Sequence, residues 1–512
     1  MLSYDELTAP EREVWDAFPE GRPVDLRTGV PEDDQVARGG GWGPGRTVRA
    51  AVVVALLQDA NAARPGAVAS LRLTGARLTG PLDLAGAEIA HALWLDGCWF
   101  EEGIDLSGAA TRSIAIRDSR VPSVEAGLIR TEGRFDLRRT RVECGAASPF
   151  HRRVTALSLI NAHVSGAVSL NGAEVVAPGE WAVSAGGLVA EGGLYAQDGF
   201  VAHGELRLMG AQLPGGLHMR GARLERPSPR GVALALDNAV ASTLDFSSGF
   251  TAHGTVRLRG AQVSDRATFA EAVLAGPPDG GGPCLAAPLL RAVDLDLTLA
   301  GRPSGAVDLR GAQVSQLYDT GPSWPDVVEL DGFVYGSLMG DDEAGRRDAV
   351  AGRVAWIRRG PGYSPQPYEQ LASWYRRDGH DDDARRVLLA KQRHRRGTLP
   401  PVTRAWGYLL DATVGYGYRP WLAGVWLLAL TVLGTAAFGA GSPAPAKPGE
   451  GAPFHPLVYT LDLVIPIGGL GQRTAWYWPD DGLQALAHAL IALGWVLTTA
   501  VVAGVTRALQ KN

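Results

Sequence analysis

Cysteine is scarce. Cys98, Cys144 and Cys284 are the only three in 512 residues, and they lie far apart with no CxxC spacing. An odd, scattered set of this kind excludes a disulfide framework and a zinc site, and reads as reduced thiols of a cytosolic compartment. Lysine is confined to Lys391, Lys447 and Lys511, and the net charge is −5. No global basic field is therefore present for DNA or RNA, and nucleic acid is not expected as a partner. The nucleotide signatures are missing too: no GxGxxG follows a strand to open a helix, and no GxxxxGK[ST] occurs. Neither the cysteines nor the glycine clusters supply a flavin, nicotinamide or metal site, so no cofactor and no catalytic residue is expected. The amino terminus, MLSYDELTAPEREVW, contains acids and no apolar core. It does not read as a secretory signal, which places the amino-terminal part inside the cell.

What the chain has in excess is glycine, 66 residues in all, much of it at one place in a repeat of roughly eleven residues. The repeat is plainest in LRLTGA (71–76), LDLAGA (82–87), LWLDGC (93–98) and IDLSGA (104–109), and it returns in LSLINA (157–162), VSLNGA (168–173), LRLMGA (206–211), LHMRGA (217–222), VRLRGA (256–261) and VDLRGA (307–312). Apolar residues two apart point to one side of a strand, and the Arg, Asp, Ser or His between them points outward. Gly then permits a tight corner and Ala is small enough to lie inside it. The fold class expected is mainly β, a single-stranded β-helix (solenoid) over 68–340. Two units make a coil of about 22 residues, giving roughly twelve coils and a stack on the order of 60 Å long. Pro- and Gly-rich insertions at 274–283 and 321–325 are expected to bulge as loops, where a protein partner of the β-helix surface would bind. His203 and His253 recur in equivalent AHG segments and mark a structural turn rather than a ligand pair.

Residues 1–67 form the expected amino-terminal helical cap. The segment RTVRAAVVVALLQDAN fits a helix, well placed to cover an open first coil. From 341 to 412 the repeat stops and a cytoplasmic helical linker is expected, with two helices meeting at Gly379. Leu371, Trp374 and Tyr375 give one apolar face, and Val387, Leu388 and Leu389 another. His380 with Asp381, Asp382 and Asp383 is read as a helix start favoured by the dipole, not as a metal cluster.

Residues 413–512 form a two-span membrane region. Trp421 to Ala440 holds no charged residue, Leu483 to Val505 holds only His488 as a titratable group, and each is long enough to cross a bilayer. Lys391, Arg393, Arg395, Arg396, Arg404 and Arg419 precede the first span, and Arg507 and Lys511 follow the second. The connecting loop 442–482 carries only Lys447 and Arg473. Both ends are thus expected in the cytoplasm and the loop outside, in a multi-pass protein of the inner (plasma) membrane. Within the loop, FHPLVYTLDLVIPIGGLGQ is apolar and short enough to dip into lipid without crossing it. Asp462, Gly468, Gly469, Gly471 and Gln472 are the candidate re-entrant or pore residues, and Trp421, Trp476, Tyr477 and Trp478 the candidate membrane-interface residues. His488 is expected to pack against a neighbour.

The outer helix, the segment YTLDLVIPIGGLGQ and the inner helix ending GWVLTTAVVAGVTRAL resemble the two-helix pore unit of ion-channel proteins. The whole chain is similar to actinobacterial membrane proteins that join a pentapeptide-like β-helix to such a unit, a group often labelled membrane-associated oxidoreductase. The resemblance implies an ion-channel-like homo-oligomer, since two helices per chain do not enclose a path. It departs from the potassium pattern at Ile467, Gly468, Gly469, Leu470 and Gly471, where TVGYG would be expected. That motif occurs instead at Thr413 to Gly417, ahead of the first span, where it reads as an interfacial aromatic cluster. The leading functional reading is a membrane-anchored cytoplasmic scaffold or sensor. The alternatives are a channel-like oligomer and, as the label implies, an oxidoreductase.

Overall fold

The computed structural model describes residues 3–145, 155–340, 346–419, 421–447, 453–466 and 468–509. Ile467 and Lys511, and the Arg507 side chain, lie outside what is described. The chain divides into two compact units, Met1–Gln370 and Leu371–Asn512.

The first unit is a stack of coils joined by parallel ladders. Ser70–Thr74, Arg77–Thr79, Leu82–Asp83 and Glu88–Ile89 make one turn, and each pairs in parallel with the strand one coil on. Each eleven-residue unit therefore carries two strand segments, where the repeat pattern suggested one, and the coil has four sides. The reason is local: Gly75 and Gly86 take positive φ inside their units and break each into two, and Gly80 turns the chain between the units. One ladder runs through Leu71, Leu93, Ile114 and Phe135, then Val168, Leu194, Leu217 and Leu244, and ends with Ala267, Leu295, Leu317 and Leu338. These twelve rungs span on the order of 50 Å at ~4.8 Å each. Register survives unequal coil lengths, since Leu93 and Ile114 are neighbours on this ladder just as Ala267 and Leu295 are.

The interior is aliphatic and aromatic throughout, with Leu71, Leu73, Leu78, Leu84, Phe135 and Phe200 all buried. Phe246 stacks on Phe269 at 4.9 Å and meets Phe250 at 5.1 Å. Ala76, Ala109, Ala211 and Ala261 fill the corners with no exposed surface to speak of. The outward Asp of the repeat adds a bond the pattern did not announce. Asp83, Asp105, Asp245 and Asp308 each accept from the backbone N–H two residues on, which initiates the corner. The left-handed corner is kept even where glycine is replaced, as at Leu128 (φ 59°) and Leu289 (φ 60°).

At the amino-terminal end, Val24–Asp25 and Thr47–Arg49 add a rung to two ladders. Helix α1 (Ala9–Ala17) and helix α2 (Ala50–Leu57) accompany them. Helix α2 is apolar nearly all round, and it packs on Thr47–Arg49, Ser70–Thr74 and Leu82–Asp83. Glu11 ties this segment together, accepting from the backbone N–H groups of Thr8 and Arg49, both at 2.9 Å, and from the Arg49 guanidinium at 2.7 Å. Burial raises the Glu11 carboxyl pKa, but these four donors outweigh it and hold it at about 2.

At the other end, helix α3 (Arg346–Ile357) and the start of helix α4 (Gln366–Arg377) belong to the same unit. The insertion at 321–325, expected to bulge outward, instead folds inward. Its Trp324 is buried, donates to Asp319 at 2.6 Å and lies 5.0 Å from Trp356 of α3. Asp319 also takes two bonds from buried Arg353, at 2.6 and 2.9 Å. Gln366 and Gln370 donate to the carbonyls of Phe333 and Tyr335, satisfying the edge of the last coil. The other insertion, at 274–283, does form a turn, closed by a Gly280 N–H to Pro277 carbonyl bond.

Candidate functional site

The second unit holds the candidate site, and among the described residues its only strands are one bridge of two residues to two. Helix α4 ends at Arg377, Gly379 turns the chain at φ 80°, and helix α5 (Asp381–Gly397) leads to helix α6 (Pro401–Val414). Helix α7 (Trp421–Gly439) and helix α10 (Asp481–Leu509) follow, with helix α8 (Pro456–Val464) and helix α9 (Gln472–Ala475) between them. Helix α7, and the stretch Asp481–Thr499 of α10, are each long and apolar enough to cross a membrane. Helix α8 has nine residues, about 13 Å, less than half of the ~30 Å hydrocarbon thickness.

Two glycines let α8 sit against both long helices. A Cβ at Gly434 of α7 would stand 2.5 Å from the Thr460 methyl carbon, and one at Gly494 of α10 would collide with the Val464 carbonyl oxygen. Phe438, Tyr459, Leu463, Trp478 and Leu490 complete the apolar cluster around it. Beyond α8 the chain turns back through the glycine-rich loop, and the two polar residues singled out by sequence hold that loop. Asp462, 1% exposed, accepts the Leu470 N–H at 2.7 Å and the Arg473 N–H at 2.8 Å. Gln472 donates to the Pro453 carbonyl at 3.0 Å and accepts from the His455 N–H at 3.4 Å. Both side chains are spent on backbone, and they fix where the loop starts and stops. Gly468, Gly469 and Gly471 are exposed at its tip, with Gly468 (φ 87°) and Gly471 (φ 78°) in the left-handed region.

The four aromatic candidates separate. Trp421 and Tyr477 are exposed, and Trp476 is half-buried beside Phe454 at 5.6 Å. Trp478 is buried and stacks on Phe438 at 5.1 Å, so it is a packing residue of the helix assembly. His488 is exposed on α10, beside Gln484 at 3.4 Å, not packed under a neighbour as expected. The TVGYG segment forms the end of α6: Gly415 caps the helix at φ 55°, and Tyr416 follows at φ 53° in a short turn. It is a helix terminus, so its carbonyls are not aligned as a row of ligands.

Elsewhere the chemistry is structural. Asp381, Asp382 and Asp383 open α5, where Asp382 and Asp383 pair with Arg385 and Arg386 one turn on. Among the described residues no group of three or more His, Cys, Asp or Glu side chains is placed to hold a metal ion. Cys98 and Cys284 are fully buried, and burial pushes both thiols up to about 12. His203 lies in a strand between Glu174 and Glu225, at 3.8 and 3.6 Å, and the Gly204 that follows it carries the bend. The coil surface is grooved along its sides. One groove of about 560 Å³ is lined by Glu88, Arg112, Arg130, Glu132 and His163, with both signs of charge interleaved.

No family model, no curated protein and no solved structure matches this chain.

Proposed function

We propose that the protein is a membrane-anchored scaffold: a β-helix that offers its long, side-chain-studded faces to a protein partner, tethered through α7 and α10 to the bilayer. In this reading residues 1–67 cap the first coil, 68–340 form the coils, 341–412 link, and 413–512 anchor. Both termini lie in the cytoplasm and 442–482 outside, at the plasma membrane. The observation that carries it is the outward surface of the second unit. Leu428, Leu433 and Val496 are 65%, 66% and 66% exposed, which water penalises and lipid tails do not. Alkaline carbonate extraction of membranes from cells making the full chain tests the anchor. The chain should stay in the pellet, and a chain stopped after Arg419 should move to the supernatant. A full chain released by carbonate would end the proposal.

A second reading is an oligomeric ion pathway, supported by one observation: a nine-residue helix wedged between two spans, followed by a glycine-rich loop whose ends are pinned by Asp462 and Gln472. Several copies would bring their Gly468 to Gly471 tips around one axis. Ion flux from proteoliposomes, lost in Asp462→Ala and Gly469→Val, would support it. A monomer in detergent together with flux-silent liposomes would sink it.

A further inference from the structure

Helix α6 is amphipathic the wrong way round for a helix in water. One side carries Arg404, which is exposed, Gly407, which is buried, and Asp411, which is half-buried, and the polar groups of this side bond back to protein. Asp411 accepts from Arg393 at 2.9 Å and from Arg396 at 3.0 Å, both from α5. The Arg404 guanidinium donates to the carbonyls of Gly397 and Leu399, at 3.2 and 3.1 Å. The Arg396 guanidinium also lies 3.9 Å over the Tyr408 ring. The opposite side, at spacings of four and three residues, carries Val402, Trp406 and Leu409, which are 84%, 59% and 50% exposed.

Two further observations say what covers that side. The indole N–H of Trp426, in the second turn of α7, donates to the Ala412 carbonyl at 3.0 Å. The end of α6 is thereby fixed beside α7 some five residues past Trp421, about 7 Å along the helix axis. A helix held at that level, just where a span enters lipid, lies among headgroups. The charge agrees. Between Lys391 and Arg419 the chain carries six basic residues (Lys391, Arg393, Arg395, Arg396, Arg404 and Arg419) and one acid (Asp411), a formal excess of five.

We infer that α6 is an interfacial helix, which lays Val402, Trp406 and Leu409 into the acyl boundary of an anionic bilayer leaflet while the basic collar of α5 and α6 faces the phosphates. The inference rests on the anchor reading above and adds a second attachment to it. It turns 391–419 from a linker into part of the lipid-binding surface.

The test uses the full chain in nanodiscs of phosphatidylglycerol and phosphatidylcholine. A Cys144→Ser background leaves only the two fully buried native thiols. An environment-sensitive fluorophore is placed at Trp406→Cys, and separately at Val402→Cys, Arg404→Cys and Leu428→Cys. At 402 and 406 the emission should shift to the blue, resist iodide and be quenched by brominated lipid, while the probe at 404 should stay open to iodide. Removing phosphatidylglycerol should return the 402 and 406 probes toward water. A probe at 402 or 406 that is open to iodide, while the one at 428 is quenched by brominated lipid, overturns the inference and leaves the anchor standing. Probes at 406 and 428 both in water overturn both. Shielding from iodide without quenching by brominated lipid identifies a protein contact, such as a second copy, and also overturns it. Equal burial in purely zwitterionic lipid removes the role given to the basic collar.

Discussion

The two compact units bury similar chemistry and expose opposite chemistry. In Met1–Gln370 the interior is mostly leucine, valine, alanine and phenylalanine, and charged pairs such as Arg139 with Asp118 and Arg112 with Glu132 stand outside. In Leu371–Asn512 the cluster buried around α8 is apolar too, with hydrogen-bonded Thr460, Asp462 and Gln472 buried alongside it, but leucine and valine of the long helices face outward. An apolar exterior is what a hydrocarbon solvent selects. An apolar interior with paired charges outside is what water selects. Burial alone, read unit by unit, thus carries information about surroundings that neither unit contains.

The largest way to break this contrast is inside the coils. Phe246→Ala removes a ring that stacks on Phe269 and packs against Phe250, and should cost about 3–5 kcal/mol. Denaturant titration of the β-sheet circular dichroism signal reads this, and a loss under about 1 kcal/mol would mean that the aliphatic stack is not what holds the coils.

Glu11 is a carboxylate buried within the coil unit, and it sharpens the comparison through pH. Its folded pKa of about 2 lies below the ordinary ~4.3 of a glutamate, so its stabilisation is fully present above pH ~4.3 and fades as pH falls toward about 2. Roughly 3 kcal/mol should be lost over that window. Glu11→Gln should be less stable at neutral pH, and its stability should change less between pH 4.5 and 2.

In the second unit the matching experiment is Asp462→Ala, which strands the N–H groups of Leu470 and Arg473. A cost of about 2 kcal/mol is expected, read as roughly thirty-fold faster hydrogen exchange at those two amides, with the coil amides unchanged. Unchanged exchange there would show that the loop does not depend on its buried carboxylate.

The smallest effect concerns exposed leucines, which have different causes in the two units. Leu128 and Leu289 are exposed because they occupy left-handed corners, where a side chain is strained. Leu128→Gly and Leu289→Gly should each stabilise the coils by about 1 kcal/mol, measured as a rise in denaturant midpoint.

The coils were legible because their determinants are local. Leu71 and Leu73 point inward, Gly75 turns and Ala76 fills the corner, all within six residues. Likewise α7 and α10 are readable from an apolar run alone. Pairing across distance was not legible. Nothing in the sequence ties Asp319 to Arg353, 34 residues on, so Trp324 looked like a loop residue when it closes the end of the stack. Asp462 and Gln472 stand out in the sequence as polar residues in an apolar segment. Which way they point depends on where the loop returns, and periodicity carries no information on that. The apolar stripe of α6 is written in the spacing of Val402, Trp406 and Leu409, but that spacing does not say whether the stripe turns to protein or away from it.

The ladders keep their register although successive coils differ in length, as Leu93 to Ile114 and Ala267 to Leu295 show. Surplus residues are extruded sideways at a corner and do not propagate, because each turn touches only the turns beside it. Such a shaft is a permissive host for grafted peptides. Epitopes or recognition loops inserted at the Pro277–Gly280 turn would be displayed at a set height without disturbing the rungs above and below, and natural variation in this protein has the same route to new specificities open to it.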